Sequence, residues 1–312
     1  MDMSRPESTW TGFRAGLAAL ACVGTLCSCS TPQYSCCRPL SESARAGIYA
    51  QSTIQFNAAA LFKLEPSAPT NTAPFNLAPL IFQEIQAGDT ASKGLLAAAE
   101  PTLEAGNDRL SPGDEISTVY AWQERILIRS QWHDQVTYAW RYEGRESEPA
   151  EGARLKCQGV RITLDASGRP AIWEALADGS GASIVFVSQA LEVGAAIQFQ
   201  KPLPGRRFCV ERSLKETPHV IVARWIDDGP LPMGPILYVG AGTHNILTIA
   251  CRCMPTQARQ LVSQEFYNLI TLPGPQTRAA PSPSPMIEAG LALQRAYPQI
   301  DLEEILILPA DF

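Results

Sequence analysis

The sequence has no excess of basic residues and contains only three histidines. Lysine and arginine together number 25, against 31 aspartates and glutamates, and the formal net charge of the 312 residues is −6 at pH 7. Without a basic excess to neutralise phosphates, the chain is not a general nucleic-acid binder. Its hydrophobic fraction of 46% is ordinary for a packed protein, which excludes disorder throughout the chain.

Familiar catalytic and nucleotide-binding motifs are also missing. The sequence has no Gly-x-Ser-x-Gly elbow, no His-Glu-x-x-His and no P-loop. The Gly-x-Gly at 240–242 lacks a third glycine and precedes a strand pattern, so we interpret it as a turn. General acid–base catalysis needs carboxylates that converge in space, and sequence alone does not show convergence. The available carboxylates are Glu124, Glu143, Glu174, Glu211, Asp227 and Asp228. We therefore assign no catalytic residue and no cofactor.

The first thirty residues carry the clearest signal in the chain. Arg5 and Arg14 precede an uncharged run over 15–26, which at about 12 residues has the length of a signal-peptide core and is too short to span a bilayer. Leu26-Cys27-Ser28-Cys29 follows directly. This motif places a branched apolar residue three positions before a cysteine, with a small residue next to it, and it resembles the lipobox of bacterial lipoproteins.

The resemblance implies that Cys29 is lipidated. In that family the cysteine thiol receives a diacylglycerol, the leader is cut just before it, and the new amino group is acylated, commonly with palmitate. Two or three acyl chains anchor a protein stably where a single chain is marginal. The resemblance therefore predicts an exported protein that is anchored by lipid to a bacterial membrane of the cell envelope.

Proline-rich stretches divide the chain into segments. The expected organisation is a signal peptide over 1–28, a tether over 29–47, a Pro/Ala-rich helical segment over 48–112, an antiparallel α+β domain over 113–272, a Pro-rich linker over 273–285 and a C-terminal helical segment over 286–312. We expect the last segment to pack back on the domain, because its apolar residues would otherwise be exposed.

Hydrophobic periodicity predicts the fold class α+β, with a predominantly antiparallel sheet and a few packed helices. Apolar spacing over 54–62 favours a helix over 48–62, and Ala-rich composition favours another over 92–100. Alternation over 119–129 and 136–142 predicts an antiparallel strand pair. Asp165-Ala166-Ser167-Gly168 has the turn chemistry of a hairpin joining 155–164 to 170–176.

Five aromatic residues share even numbering in the first predicted strand pair, which predicts that they lie on one face. We expect them to be core residues, since apolar residues of the same parity accompany them. The alternative is an exposed platform that stacks on glycan rings. The five residues are Tyr120, Trp122, Tyr138, Trp140 and Tyr142.

Four cysteines fall in the predicted folded block. Cys251 and Cys253 lie two apart on a predicted strand, so their side chains share a face. Three interpretations stay open: small buried hydrophobes, disulfides in one of three pairings, or a metal site that also uses Cys157, Cys209 or His244.

His133 and Asp134 form a candidate polar site, in a predicted loop between aromatic-rich strands. The expected function is a non-catalytic binding or scaffold role at the membrane surface. The membrane, through the lipid anchor, and an envelope protein or glycan are the expected partners. The alternative is a redox or metal-binding module, or an enzyme, that uses the Cys157, Cys209, Cys251 and Cys253 cluster or His133.

Overall fold

The computed structural model describes residues 55–66, 72–85, 117–142, 156–176, 183–212, 220–226, 233–241, 244–252, 258–274, 285–297 and 299–312. All of them belong to one compact unit. The strands are β1 (Phe56–Leu64), β2 (Leu80–Glu84), β3 (Ser117–Ile128), β4 (Gln131–Tyr142), β5 (Lys156–Leu164), β6 (Pro170–Ala175), β7 (Ser183–Ser188), β8 (Val220–Ile226), β9 (Ile236–Val239), β10 (Ile246–Ala250) and β11 (Ala258–Thr271). The helices are α1 (Ala73–Asn76), α2 (Gln189–Phe199), α3 (Pro285–Ala296) and α4 (Leu302–Ile305).

These strands form one mixed sheet in the order β10-β9-β2-β1-β11-β3-β4-β5-β6-β7-β8. Parallel ladders join β1 to β11, β11 to β3, β2 to β9 and β7 to β8, and the other neighbours are antiparallel. Strands hold 52% of the described residues and helices 17%. The predicted α+β class, with a predominantly antiparallel sheet and packed helices, is therefore wrong.

Two central strands account for this error. The spacing over 54–62 predicted a helix, but the chain from Phe56 to Leu64 is β1, which pairs with β2 on one side and β11 on the other. The longest strand, β11, is largely exposed, and no strand pattern had been assigned there. Both strands are determined by backbone pairing with partners far away in the chain, and local spacing does not report such pairing.

The predicted antiparallel strand pair and the predicted hairpin are both confirmed. β3 and β4 pair antiparallel through a two-residue turn in which Arg129 and Ser130 have φ of 48° and 67°, the left-handed conformation that matches strand twist. β5 and β6 also form a hairpin. In its turn the Asp165 carboxylate accepts hydrogen bonds from the backbone N–H groups of Ser167 (2.8 Å) and Arg169 (2.9 Å).

Every strand contributes a residue to a single core cluster, so the sheet curls around it. We call the face that carries this cluster the inner face. On the opposite, outer face, helix α2 and the last residues of the chain pack over β6 to β8, and Leu293 of α3 packs against Tyr120 and Trp122 of β3.

The C-terminal residues pack back on the domain, as predicted. α3 agrees with the helix expected from 286 onward. α4 begins after Asp301, whose carboxylate accepts a hydrogen bond of 2.8 Å from Glu303 N. Ile307 N then donates to Val210 O over 2.8 Å, and Leu306 and Leu308 are buried.

Several predictions fall on residues that the structure does not describe. These are the signal peptide, the tether with Cys29, the helix over 92–100 and most of the Pro-rich linker. Within the described ranges, no helix has the length and apolar character needed to span a membrane.

Candidate functional site

Three charged side chains meet on the outer face of β3, β5 and β6. Arg161 on β5 stands opposite Thr137 on β4 and Glu174 on β6, and directly paired residues point to the same face. Arg161 Nη1 lies 3.5 Å from Glu174 Oε1, and Arg161 Nε lies 3.9 Å from Glu124 Oε1. We call Glu124, Arg161 and Glu174 the charged cluster.

The charged cluster is buried, and the chain that follows α3 contacts it through Arg161. The side chain of Arg161 is 1% exposed, that of Glu174 5% and that of Glu124 10%. Arg161 Nη2 donates a hydrogen bond of 2.7 Å to the carbonyl of Tyr297, and its Nε donates one of 3.4 Å to Thr137 Oγ1. One guanidinium thus holds both carboxylates and the chain that follows α3.

The electrostatics of the cluster are unbalanced, because two carboxylates share one guanidinium. Burial raises the pKa of Glu174 from 4.5 to about 7; Arg161 opposes this rise and Glu124 adds to it. Burial also raises the pKa of Glu124, again against the effect of Arg161. Within the described part of the chain, Glu174 Oε2 has no hydrogen-bond partner.

A carboxyl group that titrates near neutrality can exchange a proton under ordinary conditions. A general acid or base must in addition lie within hydrogen-bond reach of a substrate. Glu174 is buried beside the guanidinium that binds the Tyr297 carbonyl. Its environment therefore favours proton binding coupled to the fold over turnover of a substrate.

Neutral polar residues are buried next to the charged cluster. Gln135 Nε2 donates to Thr163 Oγ1 over 2.8 Å, and both side chains are fully buried. Gln299 Nε2 donates to Gln135 Oε1 over 3.4 Å. Buried polar groups of this kind define one arrangement of the segment that covers them.

His133 and Asp134 lie on β4, and the predicted loop at this position is wrong. Because they are consecutive on a strand, their side chains point to opposite faces. His133 is buried, stacks on the ring of Phe312 at 4.8 Å between centroids, and has Nδ1 3.0 Å from Leu164 O. Asp134 is exposed and its Oδ1 lies 3.4 Å from Arg125 Nε. The two residues do not form one site.

The four cysteines of the predicted folded block do not form one cluster among the described residues. Cys157 and Cys209 are thiols, and Cys251 is disulfide-bonded. Cys253 also lies outside them. His244 stacks on Tyr142, with ring centroids 4.1 Å apart. Over the ranges that the structure describes, no group of three or more His, Cys, Asp or Glu residues is arranged to hold a metal ion.

Cys209 lies in a loop that two carboxylates organise. Glu192 accepts hydrogen bonds from the backbone N–H groups of Cys209 (2.8 Å) and Val210 (3.3 Å), and Glu211 accepts them from those of Arg207 (2.7 Å) and Phe208 (2.8 Å). Burial, followed by the nearby Glu192 carboxylate, raises the pKa of the Cys209 thiol. A reactive cysteine requires the opposite shift, so this thiol is structural.

The five aromatic residues of β3 and β4 are core residues, as expected, but they do not share one face. The two-residue turn pairs Tyr120 with Ala139 and Tyr138 with Ala121, so even numbers on β3 face the same way as odd numbers on β4. Tyr120 and Trp122 lie on the outer face, and the other three lie on the inner face. All five are at most 2% exposed, which excludes the glycan platform.

A different aromatic residue is exposed, at the tip of the β3–β4 hairpin. Trp132 and its cross-strand neighbour Leu127 are each 56% exposed. Arg125 Cζ lies 5.5 Å from the centroid of the Trp132 ring, and the same guanidinium pairs with Asp134. All four residues lie on one face of the hairpin, beyond the end of the core. We call Arg125, Leu127, Trp132 and Asp134 the hairpin patch.

Glu124 and Glu174 were available carboxylates in the sequence and Asp134 was a candidate polar residue, but Arg161 and the other three residues of the hairpin patch were not predicted. Arg161 had a usable signal, since it interrupts an apolar strand between Val160 and Ile162. Trp132 had a weaker one, because its exposure depends on the parity change at the turn. Glu143, Asp227 and Asp228 lie outside the described residues.

Comparisons of the chain with protein-family models, with curated protein sequences and with solved structures give no match.

Proposed function

We propose that the chain is a lipoprotein of the bacterial cell envelope with a non-catalytic binding role at the membrane surface. Support for the anchor comes from Leu26-Cys27-Ser28-Cys29, which resembles a lipobox and places the lipid on Cys29. Support for the binding role comes from the hairpin patch, and this observation carries the proposal.

The hairpin patch has the composition and rigidity of a binding surface. Tryptophan and arginine are enriched among the residues that dominate interface energies. Trp132 is held by the guanidinium of Arg125, and Arg125 is held by Asp134. A two-residue turn fixes both strands close to the patch. These contacts restrict the side chains in part before association, which favours affinity.

The partner that best fits the patch is another envelope protein. The Arg125 guanidinium lies over the Trp132 ring, where it competes with a sugar for stacking, and the neighbouring Leu127 offers an aliphatic surface. A central apolar pair flanked by a charged pair is typical of the centre and rim of protein interfaces.

Site-specific photo-crosslinking tests the binding role. A photoreactive amino acid replaces Trp132 in the full chain, expressed in the envelope of a bacterial cell, and a second chain carries it at Ile197. Ile197 is the matched control, since it is 78% exposed but lies on α2. We expect a discrete protein adduct from position 132, identified by mass spectrometry and absent from position 197. Adducts to glycan alone would contradict a protein partner and identify glycan as the ligand. Equal labelling from both positions would contradict a binding role for the patch.

The anchor is tested by cell fractionation. Cys29→Ala removes the thiol that the lipid would modify. Cys27→Ala leaves that thiol in place and puts a residue that is more common in lipoboxes two positions before it. We expect Cys29→Ala to leave the membrane fraction and Cys27→Ala to stay there. Membrane association that is the same for both variants contradicts lipidation at Cys29.

A further inference from the structure

The chain that follows α3 is attached to the sheet at several points. We call residues 299–312 the C-terminal segment. Glu303 lies against Arg129 of the β3–β4 turn, with Oε2 accepting a hydrogen bond of 3.1 Å from the backbone N–H of Arg129. Farther along, Ile307 N donates to Val210 O over 2.8 Å, and Ala310 N donates to Gln198 Oε1 over 2.8 Å. These hydrogen bonds, together with the burial of Leu302, Leu306, Leu308 and Phe312, hold the segment on the sheet, and its first residues add further attachments.

The start of the segment, and the residue Tyr297 just before it, lie beside the charged cluster. Arg161 Nη2 reaches the carbonyl of Tyr297, two residues before the C-terminal segment, and Gln299 reaches Gln135. Arg161 is also the only cation within ion-pair distance of Glu174 among the described residues. The protonation state of Glu174 therefore changes the charge beside the same Arg161 guanidinium that binds the Tyr297 carbonyl.

The charge on this site is in excess by one carboxylate. Glu124 from β3 and Arg161 from β5 are the charged groups that act on Glu174. β4 presents the neutral Thr137 and β7 presents Val185 opposite Glu174, so neither strand supplies a second cation. A buried carboxylate whose charge is not fully balanced is costly, and Glu174 Oε2 has no hydrogen-bond partner among the described residues.

We propose that the charged cluster is a proton-controlled latch for the C-terminal segment. When Glu174 is protonated, the negative charge of Glu124 balances the positive charge of Arg161, and the segment closes over a site with no net charge. When Glu174 releases that proton to solvent, a buried negative charge remains, and it is hydrated when the segment lifts from Arg161.

The direction of the pH dependence follows from the burial of Glu174. Its pKa is about 7 in the closed state and takes the ordinary value of 4.5 once water reaches it. Closure is therefore strongest below pH 4.5, weakens as the pH rises to 7, and is constant above that. Between pH 5.5 and 8.5 such a shift changes the closing equilibrium about 30-fold. Glu124, whose pKa burial also raises, acts in the same direction.

Hydrogen exchange of the full chain tests the latch. The amide of Ile307 reports on closure because it bonds to Val210 O. Its exchange rate is measured at pH 5.5, 7.0 and 8.5 in the wild type and in Glu174→Gln, and the ratio at each pH removes the intrinsic pH dependence of exchange. Glu303→Gln is the control, since it weakens an attachment of the same segment away from the charged cluster.

We expect the ratio of the wild-type rate to the Glu174→Gln rate to rise about 30-fold from pH 5.5 to 8.5. Glu303→Gln is expected to exchange faster than the wild type by a factor that does not change with pH. If Glu174→Gln does not fold, Glu124→Gln serves instead, because it also removes the excess charge and should flatten the pH dependence. A ratio that stays within about twofold over this range would overturn the latch.

Discussion

Replacing Arg161 with methionine tests the energetics of the charged cluster. Methionine keeps an unbranched apolar stem but removes the cation beside Glu124 and Glu174 and the hydrogen bond from Arg161 to the Tyr297 carbonyl. Removing one partner of a buried ion pair costs about 3–5 kcal/mol, because the remaining charge stays buried. A domain of this kind is stable by about 5–15 kcal/mol in total, so we expect a large fraction of the unfolding free energy to be lost.

The pH dependence of this loss is a sharper test than its size. Arg161 lowers the pKa of Glu174, so without it that pKa rises above 7. In the wild type, the stability that depends on Glu174 declines between pH 4.5 and 7 and is then constant. In Arg161→Met the decline continues above pH 7, because the folded state keeps its proton to higher pH.

Urea unfolding at pH 5.5, 7.0 and 8.5 measures both effects. Arg125→Met is the matched control, since it removes an arginine from an exposed ion pair that is worth at most about 1 kcal/mol. The double variant Arg161→Met, Glu174→Gln is expected to recover part of the loss, because it removes the uncompensated charge. If Arg161→Met is no less stable than Arg125→Met at every pH, Arg161 does not stabilise the buried carboxylates.

Two further predictions concern packing. Gly290→Ala places a Cβ 2.5 Å from Tyr120 Cδ1 and 2.8 Å from a Leu272 methyl, so we expect a loss of about 1–3 kcal/mol in urea unfolding. Gly194→Ala, where the nearest atom is 3.5 Å away, is expected to be neutral or stabilising, and equal effects of the two would contradict the packing of α3. The Cys209 thiol, buried and with a raised pKa, is expected to react with a maleimide only as fast as the domain unfolds; rapid labelling in native buffer would contradict its structural role.

Local features of the fold were predictable from sequence because short segments determine them. The β5–β6 hairpin follows from the turn at Asp165, and α4 follows from the Asp301 cap. Parallel ladders have no such local signal. β1 carries a spacing that fits a helix, and only its pairing with β2 and β11 makes it a strand.

The site was less predictable because it depends on register. A two-residue turn reverses the parity between β3 and β4, so five aromatic residues that share even numbering divide between two faces. That register also leaves Trp132 exposed, and the separate register of β5 with β6 places Arg161 beside Glu174. The carboxylates could be named from sequence, but their convergence on one guanidinium follows from three strand pairings that no local pattern reports.

Titration of Glu174 by carbon-13 NMR measures whether burial in the charged cluster shifts the pKa of its carboxyl group. The side-chain carboxyl carbon is followed from pH 4 to 9 in the full chain, with Glu174→Gln used to assign its signal. We predict a midpoint at a pKa of about 7, caused by burial beside a guanidinium that Glu124 shares. A midpoint near the ordinary 4.5 would contradict the unbalanced buried site, and with it the latch.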